Sequence, residues 1–180
     1  IEKHEFGKTT DSGENLDSIK KHNLTIEEAS TIYMYTQHQI YNTINYSLRN
    51  LQNPDADVTE FTRMLNEALD KLPSYNNEIV YRDIRFPEGG VEECLNFYAS
   101  KVGEEITFKD FLSCHTDDVR ISDEVNDFQF VIKTKEKSNA KDIQEITFVN
   151  IEREVLFKTQ SKFLIEEVDL KENRVYMREI

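Results

Sequence analysis

The hydrophobic pattern of the chain changes close to residue 73, and this change restricts the folds that the chain can adopt. Before it, apolar residues recur at the three- and four-residue spacing of amphipathic helices. After it, short segments rich in β-branched and aromatic residues are typical of strands. The sequence shows no repeated alternation of strands and helices, which is the pattern of a doubly wound nucleotide-binding sheet. The sequence therefore predicts an α+β fold, with N-terminal helices followed by a mainly antiparallel β-sandwich core.

Three helices are predicted in the first part of the chain. The first begins at Thr25, which together with Glu28 has the spacing of a capping box. The second ends before Pro54, and the third covers about residues 58–72. Residues 1–22 are polar and show no sustained period, so we interpret them as an N-terminal arm or linker. Residues 23–180 are interpreted as one domain.

The second part of the chain is predicted to consist mostly of strands. A strand at 78–86 is ended by Pro87, and a short helix follows at about 91–101. Residues 106–108 and 111–113 form either two short strands or one bent strand. The remaining predicted elements are a turn at 139–141 and strands at about 128–133, 153–157, 163–169 and 174–178.

The charge balance limits the partners that we expect. The chain has 22 Lys and Arg against 35 Asp and Glu, a net charge of −13. Nucleic acids and anionic membrane surfaces are normally bound through basic patches, so neither is expected as a partner. No stretch has the apolar length of a membrane span. The chain begins at Ile1 instead of Met, so we expect a processed product or an excised domain.

Several familiar catalytic fingerprints do not occur in the sequence. There is no glycine-rich phosphate loop, and the four histidines are scattered without the spacing of a zinc site, so no metal is expected. Cys114 and His115 are neighbours, and neighbours on a strand point to opposite faces, which argues against a thiol nucleophile with its base. We interpret Cys94 and Cys114 as partly buried small hydrophobic residues, although one disulfide between them stays open.

Two polar positions interrupt apolar segments. Arg82 lies inside the strand predicted at 78–86. It is either a half-exposed residue on the polar face of this strand or a guanidinium placed to bind a phosphate. Ser113 lies where the apolar segment 111–113 meets a polar loop, which taken alone is a weak indication of a site.

A pair of carboxylates is the more informative feature. Glu152 and Glu154 share one face of a predicted strand, where like charges tend to raise one pKa. They form either a solvated acidic edge or a catalytic pair for a reaction through an oxocarbenium ion, in which one carboxylate stabilises the cationic sugar. The apolar residues 155–157 follow directly and argue against a purely solvated edge.

Taken in order, these segments resemble the arginine-specific mono-ADP-ribosyltransferases, the family with the Arg / Ser-x-Ser / Glu-x-Glu signature. This family includes bacterial toxins and effectors and vertebrate-type ectoenzymes. The resemblance covers most of residues 23–169 and includes the opening helix at 24–36. Tyr81 and Arg82 resemble the family's Tyr-Arg-Gly strand, 111–113 its Phe-x-Ser strand, and 152–157 its Glu-x-Glu-Val-Leu-Phe strand. The resemblance implies an ADP-ribosyltransferase fold for residues 23–180.

The resemblance also implies roles for single residues, with NAD as the substrate and no metal. Arg82 would bind an NAD phosphate, and Ser113 would hold the catalytic glutamate and the nicotinamide ribose. Glu154 would support the oxocarbenium ion, and Glu152 would activate the guanidinium of a protein acceptor. Phe148 would be the aromatic contact to this acceptor, within a recognition loop that covers about 142–151, while the segment 116–127 would fold over the phosphates.

Two positions depart from the family pattern. Asp83 stands where the family usually has the Gly that contacts the nicotinamide amide, and His115 stands where a second Ser is common. Both are expected to border the NAD site. The resemblance predicts a monomeric NAD:arginine ADP-ribosyltransferase, secreted or delivered into a target cell as a toxin or effector. The alternatives are a binding module that has lost catalysis and an NAD glycohydrolase that transfers only to water.

Overall fold

A computed structural model describes residues 12–85, 89–118, 127–147 and 153–180. Four of the helices in these ranges precede the first strand, namely the three that the sequence predicts and one more within the segment interpreted as an arm. The helices are α1 (Ser12–Lys21), α2 (Ile26–Tyr35), α3 (His38–Asn50), α4 (Ala56–Asp70) and α5 (Val91–Ala99). The strands are β1 (Ile79–Arg85), β2 (Glu105–Phe108), β3 (Leu112–His115), β4 (Asp127–Lys133), β5 (Ala140–Asp142), β6 (Glu154–Phe157), β7 (Ser161–Asp169) and β8 (Arg174–Glu179).

Helices α2 and α4 begin at side-chain caps, the first of which the sequence predicts. The Thr25 side chain accepts a hydrogen bond from the Glu28 amide, and the Glu28 carboxylate accepts one from the Thr25 amide at 2.8 Å. This is the predicted capping box. Asp55 caps α4 by accepting a hydrogen bond from the Val58 amide at 2.8 Å. Each cap fixes the residue at which its helix begins, and thereby the face that the helix turns to the core.

The strands form one sheet with the order β2-β7-β8-β4-β1-β3-β6-β5. All pairings are antiparallel except the parallel pair of β4 and β8. β1 pairs with β4 along its whole length but with β3 at one position only, Tyr81 opposite His115. This narrow junction divides the sheet into a larger half-sheet (β2, β7, β8, β4, β1) and a smaller half-sheet (β3, β6, β5).

The two half-sheets share one apolar core, which makes the sheet a sandwich. This core includes Phe130 and Phe163 from the larger half-sheet and Leu112 and Val155 from the smaller one. A second core lies on the opposite face of the smaller half-sheet, between it and helices α2 to α4. Its members include Ile32, Leu65, Leu69, Phe111, Ile143 and Leu156. The predicted α+β fold with a mainly antiparallel sandwich is confirmed.

The prediction of a turn at 139–141 is wrong, because Ala140–Asp142 form the edge strand β5. Ala140 is fully buried and lies opposite Phe157 of β6. The change of direction occurs earlier, at Lys137, which has a φ of 57°. A strand of three residues is too short to produce a recognisable alternation of polar and apolar residues, so the polar run before it dominated the pattern.

Helix α1 lies inside the segment that the sequence analysis interprets as a polar arm. Its side chain Ile19 packs against the second core, and the Ile19 carbonyl accepts a hydrogen bond from the Leu24 amide at 3.0 Å. Leu16 is exposed, so the helix has too few buried apolar residues for a sustained period to be visible in the sequence. The domain boundary at residue 22 stays a prediction.

Candidate active site

A cleft of about 490 Å³ opens between helices α2 and α3 and the junction of the two half-sheets. This volume falls in the range of small-molecule sites, about 300–1,000 Å³. The helical wall and the segment between α2 and α3 contribute Tyr35, Thr36, Gln37, Tyr41 and Asn45. The opposite wall contributes Arg82, Asp83, Ser113, Thr147 and Glu154. The structure thus brings Arg82, Ser113 and Glu154 together, although they are far apart in the sequence.

Ser113 and Glu154 come together through the register of β3 and β6. Ser113 lies opposite Leu156 and His115 lies opposite Glu154, so Ser113 and Glu154 are diagonal neighbours on one face of the smaller half-sheet. The Ser113 hydroxyl donates a hydrogen bond of 2.6 Å to Oε1 of Glu154. Hydrogen bonds to a carboxylate are short and strong. This bond therefore fixes the direction in which the Glu154 carboxylate faces the cleft.

Arg82 joins the two half-sheets from the side of β1. Its Nη1 donates a hydrogen bond of 2.8 Å to the carbonyl oxygen of Ser113. Its Nε is buried and has no hydrogen-bond partner in the described part of the chain. Such a buried donor is costly unless a ligand satisfies it. The guanidinium is thus anchored through one nitrogen and retains hydrogen-bonding capacity at the cleft.

Asp83 and His115, the two departures from the family pattern, contact each other. Nε2 of His115 lies 3.5 Å from Oδ2 of Asp83, which is an ion-pair distance but long for a hydrogen bond. The imidazole stacks on Tyr81, with ring centroids 6.0 Å apart. Gln129 donates a hydrogen bond of 3.0 Å to the other Asp83 oxygen. The interaction with Asp83 raises the pKa of His115 above its ordinary value.

Asn45 is a site residue that the sequence analysis missed. Its side-chain amide donates to the Tyr35 hydroxyl at 2.9 Å and to the Phe111 carbonyl at 3.3 Å, and its Oδ1 accepts a hydrogen bond from the Phe111 amide. Asn45 therefore anchors α3 to the residue before β3, two positions from Ser113. The available signal was a polar Asn beside Ile44, within the helical apolar stripe of the second predicted helix. Burial raises the pKa of Tyr35, so its hydroxyl stays neutral.

The predicted acceptor side of the cleft is built on the segment 143–147. Ile143 and Ile146 are buried in the second core, and Thr147 lines the cleft. Glu145 accepts hydrogen bonds of 2.9 Å from Lys21 and from His22, which ties this segment to the end of α1. Three of the predicted features lie outside the described residues, namely Phe148, Glu152 and most of the segment predicted to fold over the phosphates, 119–126.

Cys114 lies on the face of β3 that is turned away from the cleft. It is buried in the core between the half-sheets, and burial raises its pKa to about 12. A thiol with this pKa carries no thiolate for nucleophilic attack at neutral pH. Cys114 and His115 therefore point to opposite faces of β3, as neighbours on a strand do, and both cysteines are free thiols.

Neither a cluster of metal ligands nor a membrane-spanning helix is present among the described residues. Within ranges 12–85, 89–118, 127–147 and 153–180, no group of three or more His, Cys, Asp or Glu is arranged to hold a metal ion. None of the helices in the same ranges has the length and apolar character needed to cross a bilayer. A further cavity of about 530 Å³ lies at the start of α5 and contains none of the predicted site residues.

The sequence matches a known protein family and is similar to a bacterial toxin. Residues 10–178 match the family model of the ADP-ribosyltransferase exoenzymes. The chain is 27% identical over 140 residues to the Photox toxin of Photorhabdus laumondii, an alignment that covers 74% of the chain and 33% of Photox. The chain therefore spans about a third of the length of this relative.

Solved bacterial ADP-ribosyltransferases are among the structures with the same fold. HopU1 of Pseudomonas syringae matches with a TM-score of 0.76 and 19% identity, over 100% of this chain and 91% of HopU1. The C3 exoenzyme of Clostridium limosum matches with a TM-score of 0.72 and 16% identity, over 98% of both chains. Vis, from Vibrio splendidus, matches in its complex with agmatine with a TM-score of 0.61 and 18% identity, over 96% of this chain and 86% of Vis. At these identities the likeness shows the fold.

Proposed function

This chain belongs to the ADP-ribosyltransferase exoenzyme family, and we propose that it transfers ADP-ribose from NAD to an arginine side chain of a protein, with release of nicotinamide. The observation that carries this proposal is the 2.6 Å hydrogen bond from Ser113 to Glu154, inside the cleft that also contains the Arg82 guanidinium. A cation for the phosphates and an oriented carboxylate are the two groups that the removal of nicotinamide requires.

Binding of NAD is assigned to the Arg82 side of the cleft. A guanidinium binds phosphate oxygens through several parallel N–H donors, and Arg82 has one buried donor without a partner among the described residues. The chain as a whole carries a net charge of −13, so a local cation is needed to attract the anionic pyrophosphate. Ser113 also borders the cleft, and its hydroxyl is held in place through Glu154.

Cleavage of NAD is assigned to Glu154. The bond between the ribose anomeric carbon and the nicotinamide nitrogen breaks, and its electron pair leaves with nicotinamide, which becomes neutral. The ribose becomes an oxocarbenium ion, and a carboxylate held beside it stabilises the positive charge. Because the carboxylate is oriented by Ser113 before the reaction, little reorganisation is needed as the charge develops.

The arginine acceptor is assigned to Glu152, which lies outside the described residues. A guanidinium is a poor nucleophile until it loses a proton, so a carboxylate base beside the anomeric carbon is required. The guanidinium nitrogen then forms the bond to the anomeric carbon, and its proton passes to Glu152. The fold relative Vis was solved with agmatine, which carries the same guanidinium group as arginine, and this supports an arginine-type acceptor.

We also propose a biological setting for this reaction. The sequence and structure relatives include toxins, among them the Photox toxin and the Plx2a toxin from Paenibacillus larvae. The chain is therefore assigned as the catalytic part of a toxin or effector that reaches a target cell and acts there as a monomer. Analytical ultracentrifugation of the purified chain tests the monomeric state.

The proposed function is tested with NAD labelled in its adenosine part and with agmatine as the acceptor. The wild type is expected to release nicotinamide and to label agmatine. Glu154→Gln is expected to reduce both activities by about 10³-fold, because the charge that stabilises the oxocarbenium ion is lost. The matched control is Glu167→Gln, which removes an exposed carboxylate from β7 and is expected to keep both activities.

Three outcomes of this experiment separate the proposal from its alternatives. Nicotinamide release with labelled agmatine supports the arginine transferase. Nicotinamide release without any labelled agmatine or protein would identify an NAD glycohydrolase. Neither release nor labelling would identify a binding module that has lost catalysis, a possibility raised by Asp83 and His115.

A further inference from the structure

Arg153 lies between the two glutamates of the signature and has an unusual backbone conformation. Its φ is 40°, in the left-handed region that residues other than glycine rarely adopt. Strand β6 begins at the next residue, Glu154. The regular alternation of side chains along β6 therefore starts at Glu154, and the chain enters the strand through a left-handed residue.

This conformation costs free energy and persists only where the surrounding contacts hold it. One such contact is an ion pair, in which Nη1 of Arg153 donates a hydrogen bond of 3.2 Å to Oδ1 of Asp117. The last backbone pair of β3 and β6 on this side is His115 opposite Glu154. The ion pair thus extends the connection between the two strands beyond the end of their backbone pairing.

Asp117 is itself connected to the sheet, so it can serve as a fixed point for Arg153. Its carbonyl oxygen lies 2.7 Å from Nδ1 of His115, the last paired residue of β3. The next residue, Asp118, accepts a hydrogen bond of 2.8 Å from Arg174 at the start of β8. The partner of Arg153 is therefore tied to both half-sheets.

The end of β6 that this ion pair holds carries the carboxylate assigned to the oxocarbenium ion. Ser113 binds the Glu154 carboxylate, and the Ile143 amide donates a hydrogen bond of 3.3 Å to the Glu154 carbonyl. The ion pair of Arg153 acts instead on the backbone that precedes Glu154. Because the end of an element opens more easily than its middle, a contact at this point bears directly on the position of Glu154.

We propose that Arg153 is a positioning residue for Glu154, which it holds through its left-handed backbone and its ion pair with Asp117. The proposal rests on the proposed function of the cleft and adds a residue that acts through Glu154. Binding of the NAD phosphates is assigned to Arg82, at the opposite half-sheet. Loss of the ion pair is therefore expected to lower the rate of NAD cleavage without changing the binding of NAD.

The test measures nicotinamide release by the purified chain over a range of NAD concentrations in Arg153→Met, Asp117→Ala and the double variant. Each single variant is expected to lower kcat about fivefold, the upper end of what an exposed ion pair contributes, with KM for NAD unchanged. The double variant is expected to match the single variants, because all three lack the same pair. The matched control is Arg178→Met, which breaks an exposed ion pair with Glu166 and is expected to keep kcat.

Two further variants separate the backbone of Arg153 from its charge. Arg153→Gly accepts a φ of 40° without strain, and this relief offsets the larger entropy of its unfolded chain. Its free energy of unfolding is expected to stay close to that of the wild type, while kcat falls as in Arg153→Met. Arg153→Lys keeps the positive charge and is expected to restore most of kcat. A merely structural role would not lower kcat in a variant that is as stable as the wild type.

Exchange of the amide hydrogens of β6, followed by NMR, is a second readout that does not depend on NAD. Exchange is expected to be faster in Asp117→Ala than in the wild type and unchanged in Arg178→Met. Unchanged exchange in Asp117→Ala would overturn the positioning role, as would a wild-type kcat in Arg153→Met or additive losses in the double variant. A wild type that cleaves no NAD would instead overturn the proposed function, so the two failures are distinguishable.

Discussion

The strand side of the cleft and its acceptor side are held by different forces. On the strand side, Ser113 and Glu154 are diagonal neighbours on the paired strands β3 and β6, and Arg82 is bonded to the same strand pair. On the acceptor side, the segment 143–147 is held by two buried isoleucines and by the ion pairs of Glu145 with the end of α1. The first arrangement depends on backbone register, and the second depends partly on exposed charges.

This difference corresponds to two different chemical tasks. Breaking the bond to nicotinamide requires a carboxylate whose position is fixed to a fraction of an ångström, and paired strands provide that precision. Recognition of an acceptor depends on the shape of a surface segment, which can vary without disturbing the sheet. The comparison predicts that changes on the strand side affect both NAD cleavage and transfer, whereas changes on the acceptor side affect transfer alone.

The largest expected effect separates the two glutamates of the signature. Glu152→Gln is expected to reduce labelling of agmatine by about 10²-fold or more, because the proton acceptor for the guanidinium is lost. NAD hydrolysis is expected to stay close to the wild-type rate, since water needs no such base when the oxocarbenium ion has already formed. Hydrolysis and transfer are measured in parallel by nicotinamide release and by labelled agmatine.

The separate effects of Glu152→Gln on transfer and on hydrolysis are compared with Glu154→Gln, which is expected to lose both activities. If Glu152→Gln lost hydrolysis as strongly as transfer, Glu152 would belong functionally to the strand side. The assignment of separate roles to the two carboxylates would then be wrong.

A smaller effect is expected where the helical wall supports the strand side. Asn45→Ala removes the partners of the Phe111 backbone and of the Tyr35 hydroxyl, which are buried. Unsatisfied buried groups cost about 1–3 kcal/mol in the free energy of unfolding. A chain of this size is expected to lose about 2–4 °C in melting temperature per kcal/mol. Urea unfolding and calorimetry measure both quantities.

Activity of Asn45→Ala then tests whether the strand side is one unit. Because Asn45 holds the residue two positions before Ser113, NAD hydrolysis and transfer are expected to fall by the same factor. The matched control is Asn42→Ala, at an exposed position of α3, which is expected to preserve stability and activity. A selective loss of transfer in Asn45→Ala would contradict the division into two sides.

The sequence predicted the strand side well and the supporting contacts poorly, for a physical reason. Arg82, Ser113 and Glu154 lie on short segments whose residue types and order indicate their chemistry without reference to the fold. The contact of Asn45 with Phe111 joins residues 66 positions apart, and it exists only because α3 packs on the smaller half-sheet. Local periodicity contains no information on such a contact.

The pair of Asp83 and His115 illustrates the same limit. The sequence identified both residues as departures from the family pattern, but as two separate ones. Their contact depends on β1 lying beside β3 in the sheet, although α5 and β2 separate these strands in the chain. Adjacency of strands that are not consecutive follows from the global topology, and only the structure shows that the two departures contact each other.

The smallest expected effect tests the acceptor side through its exposed ion pairs. Glu145→Gln removes the negative charge that pairs with Lys21 and His22, and exposed pairs of this kind contribute less than about 1 kcal/mol to stability. Lys21 and His22 hold the pKa of Glu145 below its ordinary value. A carboxylate whose pKa is lowered by folding stabilises the fold at pH values above its ordinary pKa of 4.5, and this contribution is lost as the pH falls through its pKa in the folded protein. The assay is therefore run at pH 7.

Glu145→Gln is expected to lower the transfer to agmatine by about threefold, because the ion pairs that tie the segment before the acceptor loop to α1 are weakened, while NAD hydrolysis is unchanged. The difference between variant and wild type is expected to shrink in 1 M salt, where exposed charges are screened. Asp70→Asn breaks a similar surface ion pair with Lys158 away from the cleft and is the matched control. Equal changes in hydrolysis and transfer in Glu145→Gln would show that α1 supports the whole cleft, and the distinction between its two sides would have to be abandoned.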